Sequence, residues 1–77
     1  MQVEDIQELI RAGLPDARVE VSSEDGVHFE ALVVSAAFDG MRPIARHQAV
    51  YQALGERMGG EIHALSLRTL TPDEVGD

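Results

Sequence analysis

The sequence contains no cysteine. Disulfides, cysteine-ligated zinc sites and a cysteine nucleophile are therefore excluded. Tryptophan is also missing, and aromatic residues make up only 4% of the chain, so a core has to be built from aliphatic side chains. Positive charge is scarce: 6 Lys and Arg stand against 14 Asp and Glu, for a net charge of −8. Such a balance repels a phosphate backbone. It serves solubility, or attraction to a basic protein partner. No stretch approaches membrane-spanning length. The opening MQVEDIQELI resembles neither a secretory signal nor a transit peptide. A soluble protein of the reducing cytoplasm is the expectation.

What is present fits a small folded domain. The 77 residues have room for one core, so a single domain over 1–77 is expected. The hydrophobic share of 44% is too high for disorder. In MQVEDIQELIRAGLPDA, Val3, Ile6, Ile10 and Leu14 recur at helical spacing, and Gly13 and Pro15 stop the helix. ARVEVSS alternates as a half-buried strand, Glu24 to Gly26 is a turn signal, and VHFEALVV is a second strand. The two form a hairpin. Ser35 can cap a short helical turn that Gly40 ends, and Pro43 suits the first position of a new helix. That helix is predicted over 43–58, with Ile44, His47, Val50, Tyr51, Leu54 and Met58 as its stripe and Gly59-Gly60 as its stop. A third strand is predicted over 61 to about 68. TPDE has the pattern of a helix start at Thr71, but the chain is expected to end before a helix forms.

The order α-β-β-α-α-β makes strands two and three parallel neighbours, because a helical crossover joins them. An α+β two-layer sandwich with a three-stranded mixed sheet follows. This topology bears on two histidines. His28 lies near the start of strand two and His63 near the start of strand three. Parallel neighbours begin at one edge, so both imidazoles are expected at one rim of the sheet.

By alternation His63 shares a face with Leu65 and Leu67. It reads either as a boundary histidine bonded to backbone or as a metal ligand through a neutral ring nitrogen. His28 has the same two readings. His47 reads as a core-edge or helix-packing residue. The three histidines are 19 and 16 residues apart, which is no zinc spacing. A phosphate loop, a nucleophile elbow and a recognisable triad are all missing, so an enzyme is not expected. FDGMRPIARHQAVYQAL also admits a helix-turn-helix reading with Arg42 and Arg46 as its cations; the acidic net charge favours a plain crossover.

Three blocks resemble the BolA family, within it the short IbaG-like bacterial branch. They are VVS-x-x-F-x-G from Val33, RH-x-x-VY-x-x-L from Arg46, and IHALS-x-x-T-x-TP from Ile62, in that order. With the flanking residues they cover most of the chain from the hairpin onward. The resemblance implies a fold related to class II KH domains. It also implies a non-enzymatic partner of CGFS monothiol glutaredoxins, the pair holding a bridging 2Fe–2S cluster. Glutaredoxin then supplies a cysteine, glutathione a second thiolate, and the IHALS histidine, here His63, a third ligand. The isolated protein is expected as a cluster-free monomer.

The family's fourth ligand is a His or Cys in the loop between strands one and two. Here that loop, SSEDGV over 22–27, has neither, and His28 just beyond it is the candidate. The family's longer C-terminal extension is also missing. Imidazoles can replace two thiolates on one iron of such a cluster, which lets a cysteine-free chain take part. The alternative is DNA binding and transcriptional control through Arg42, Arg46 and Arg57. The GXXG loop of nucleic-acid-binding KH folds is not present, since Met41, Arg42 and Pro43 follow Gly40.

Overall fold

The computed structural model describes residues 1–75. Helix α1 spans Val3–Gly13 and buries Ile6 and Ile10 completely, with Val3 and Leu14 packed beside them, as the spacing predicts. Asp5 accepts a bond from the Gln2 backbone N–H at 2.9 Å, which ties the first turn. Gly13 does more than stop the helix. A Cβ there would come within 2.6 Å of the Ala53 Cβ, so glycine lets α1 lie tightly against the next long helix.

Strand β1, Arg18–Ser22, pairs antiparallel with β2, His28–Val34, and β2 pairs parallel with β3, Ala64–Leu70. The sheet order is β1-β2-β3. Val19, Val21, Phe29, Ala31 and Val33 face the helices and form the core with Ile6, Ile10, Phe38, Val50, Leu54 and Ile62. Alternation puts Glu20, Glu30, Ser66 and Arg68 on the opposite, exposed face. The architecture is a mixed α+β sandwich with a three-stranded mixed sheet, as the sequence pattern predicts.

The crossover differs from the prediction in detail. Ser35 accepts a bond from the Ala37 N–H and caps a 3-10 turn at Ala36–Phe38. Helix α2 runs over Pro43–Leu54, with proline at its start. It ends four residues sooner than the predicted 58, because Gly55 adopts φ +61° and breaks the helix. A 3-10 turn, Gly55–Arg57, fills the interval before Gly59-Gly60. The buried side of α2 also differs. It carries Arg46, Val50 and Leu54, while Ile44 is 68% exposed and Tyr51 lies outside.

A further correction concerns TPDE. One turn of helix, α3, does form over Pro72–Val75. Thr71 and Glu74 cap it reciprocally: the Thr71 N–H donates to Glu74 Oε1 at 2.9 Å, and the Glu74 N–H donates to Thr71 Oγ1 at 3.3 Å. Arg46 supplies the rest. Its Nη1 and Nη2 donate to the two Glu74 carboxylate oxygens at 2.6 and 3.2 Å. It also donates to the carbonyls of Met41 and Thr69, and its guanidinium lies over the Phe38 ring, 5.9 Å from the centroid. A planar fork with five donors suits that enclosed position, and its bonds to Thr69 and Glu74 join α2 to β3 and α3.

Candidate functional site

The parallel pairing of β2 and β3 sets the site. In their register His28 stands opposite Ala64, at about 4.8 Å of inter-strand spacing. His63 immediately precedes Ala64. The two histidines thus share one rim of the sheet, beside the β1–β2 turn.

His63 is presented differently from the prediction. It precedes β3, is exposed, and is not buried with Leu65 and Leu67. The reason lies one residue earlier. Ile62 is fully buried in the core, and its backbone is held by bonds to Arg57 and Gly59. With Ile62 turned inward, the chain breaks phase before the strand begins, and the His63 side chain meets solvent. No desolvation cost attaches to an imidazole so placed.

His28 opens β2 with its side chain 75% exposed. The turn before it is a closed set of bonds. Ser23 Oγ accepts from the Gly26 N–H at 2.8 Å and donates to the His28 carbonyl at 2.7 Å. Asp25 Oδ1 accepts from the N–H groups of Val27 and His28 at 2.9 and 2.8 Å. Asp25 Oδ2 lies 2.7 Å from His28 Nδ1. The His28 backbone N–H, then its ring, then the Val27 N–H hold the Asp25 carboxyl well below the usual carboxylate range. A hollow of about 350 Å³ lies against this turn, lined by Ser22, Ser23, Glu24, Asp25, His28 and Glu30. It meets a second hollow of about 430 Å³ along the exposed sheet face at Ser22 and Glu30.

The donor set decides what the rim can hold. Among the described residues no group of three or more His, Cys, Asp or Glu side chains is arranged around a common metal position. The rim carries two exposed imidazoles, too few side chains to complete a metal site within the described residues.

The remaining candidates lie apart. His47 is on α2 and packs edge-on to Tyr51, with ring centroids 6.5 Å apart. Arg42 is exposed at the start of α2, and Arg57 is exposed and 3.5 Å from the Glu61 carboxylate. Arg46 points inward, so the three arginines do not form one surface. The Arg46 pairing with Glu74 keeps the Glu74 carboxyl below its ordinary pKa and raises that of the guanidinium. Sequence reasoning passed over Asp25 by taking EDG only as a turn. The signal was there: a carboxylate three residues before a histidine.

Comparison with known proteins bears on the family and the fold. Residues 11–74 match the family described as BolA-like protein. An uncharacterised protein of the rpoN-murA intergenic region of Acinetobacter guillouiae is 40% identical over 75 residues, 96% of this chain and 89% of that one. The structure of a bolA protein homologue from Coxiella burnetii superposes with a TM-score of 0.88 at 45% identity, covering 100% of this chain and 99% of the other. A DNA-binding transcriptional regulator BolA of Haemophilus influenzae is 47% identical over 47 residues, 61% of this chain but 46% of that protein. No helix among the described residues is long and apolar enough to cross a membrane.

Proposed function

Because the chain belongs to the BolA-like protein family, we propose that it acts without catalysis of its own, as the histidine-donating partner of a CGFS monothiol glutaredoxin. The two proteins share a 2Fe–2S cluster in iron–sulfur trafficking or iron homeostasis. The observation that carries this reading is the placement of His28 and His63, both exposed, at one rim of a parallel strand pair.

The chemistry divides between the partners. The glutaredoxin cysteine and glutathione bring the thiolates. His63 and His28 would supply the remaining ligands, as imidazoles can in place of two thiolates. Neutral imidazoles leave the cluster less negative than thiolates do, which raises its reduction potential. An imidazole binds a metal only through an unprotonated nitrogen, so ligation by this chain would weaken with acid.

A visible circular-dichroism titration tests the reading. The protein is added anaerobically to cluster-loaded CGFS glutaredoxin with glutathione. A new spectrum is expected, saturating at one to one. His63→Ala is expected to abolish it. No change with the native protein overturns the proposal, and a spectrum that survives in the variant removes His63 from the coordination sphere.

DNA binding is the weaker reading. It draws on the name of the Haemophilus relative and on Arg42 and Arg57. Arg46 does not serve it, since its guanidinium is bonded inside the fold. Duplex binding that weakens steeply with salt would favour it over the shared cluster.

A further inference from the structure

The geometry points to Asp25 as the positioning residue that makes His28 a ligand through Nε2, by holding the ring in the tautomer with its proton on Nδ1. The metal half of this inference rests on the shared-cluster reading; the tautomer half concerns the free protein alone.

Both oxygens of the Asp25 carboxylate are engaged. Oδ1 takes the backbone N–H groups of Val27 and His28, and Oδ2 meets His28 Nδ1 at 2.7 Å. An ionised carboxylate only accepts hydrogen bonds. A neutral imidazole facing it at Nδ1 must therefore donate from that nitrogen, and the lone pair is left on Nε2. Histidine free in water prefers the opposite tautomer. The ring is three-quarters exposed, so packing does not orient it. The Asp25 contact does, and the two backbone bonds at Oδ1 fix Asp25 in turn. Metal-bound imidazoles use the same arrangement, with one nitrogen on the metal and the other donating to a carboxylate. The ring at this rim is thus set before any partner arrives, and the lone pair that a metal takes is at the nitrogen away from the chain.

Asp25→Asn separates tautomer from loop shape. The amide oxygen can still accept from Val27 and His28. The amide NH2 then faces Nδ1 and donates to it, which moves the ring proton to Nε2. An asparagine in place of a histidine-orienting aspartate leaves the geometry intact and selects the wrong tautomer.

The first measurement is the ring 15N shifts of His28 in the free protein, at alkaline pH where an imidazole is neutral. The Nδ1–H form is expected in the native protein and the Nε2–H form in the variant. An Nε2–H ring in the native protein overturns the proposal, whatever the cluster does, and needs no variant. The second measurement is retention of the glutaredoxin-shared cluster, followed by visible circular dichroism. Asp25→Asn is expected to weaken it about 10–100-fold. A reversed tautomer with unchanged retention overturns the role of Asp25 in presenting the ligand. If the native protein takes no cluster at all, the shared-cluster reading has failed, and the metal half fails with it, while the ring shifts still decide the tautomer.

Discussion

His63 and Glu74 show how differently two charged or titratable side chains serve one small protein. His63 is exposed and precedes its strand. Replacing it by alanine removes little packing, so its effect on folding should stay within about 0.5 kcal/mol. Urea denaturation of His63→Ala checks this; a loss above about 1 kcal/mol would give the ring a structural role. Glu74 is the reverse case. Its pKa is lowered in the fold by Arg46 and by the Thr71 backbone. A depressed carboxylate adds stability above its unfolded pKa and loses it as pH falls through the folded value. Native melting temperature should therefore drop on acidification below about pH 4.3, the ordinary glutamate range. Glu74→Gln should melt lower than the native protein at neutral pH and lose less on acidification, so that the two curves converge. Parallel curves would remove Glu74 from the acid response. The depressed Asp25 carboxyl adds to the acid loss in both proteins alike.

At the scale of elements, the contact of α1 with α2 gives the sharpest test. Glycine to alanine inside a helix ordinarily gains about 0.5–1 kcal/mol. Here Gly13→Ala would drive two Cβ atoms to 2.6 Å, and the overpacking should instead cost about 1–3 kcal/mol. Ala53→Gly, introduced with it, should restore much of that loss; a denaturant series on the single and double variants checks both signs. The elements also show what the sequence makes legible. Helix α1 and strands β1 and β2 are plain from periodicity, because their buried residues are apolar and regularly spaced. Helix α2 is harder. Its buried stripe includes an arginine, and Ile44 and Tyr51 stand outside it, so apolarity points to the wrong side. Its end is obscured because Gly59-Gly60 is the louder stop signal, although Gly55 acts first. Helix α3 has only four residues and would not persist alone. Contacts from a residue 28 positions away hold it, and no local pattern shows them.

For the molecule as a whole, topology was the most informative inference. Parallel pairing of β2 and β3 follows from the order of elements, and it places two histidines at one rim without any local motif. The exposure of His63 was not legible, because alternation assumes a regular strand and the buried Ile62 ends that regularity. The Asp25 contact was hidden for another reason: a turn signal says that the chain reverses, and nothing about which side chains the reversal brings together. The family resemblance adds the cluster and the glutaredoxin. It adds nothing about Asp25, which belongs to the loop where this sequence departs from the family pattern.

The Arg46–Glu74 bond has a consequence in the order of synthesis. A ribosome makes the guanidinium 28 residues ahead of the carboxylate that receives it. It also makes β2 well before β3, the neighbour that covers its second edge. During that interval the nascent chain holds an interior cation with its main acceptor missing and a central strand with one side unpaired. The bonds of Arg46 are complete only once Glu74 has been added, so the contact that ties the crossover helix to the last turn of the chain is among the last that synthesis allows.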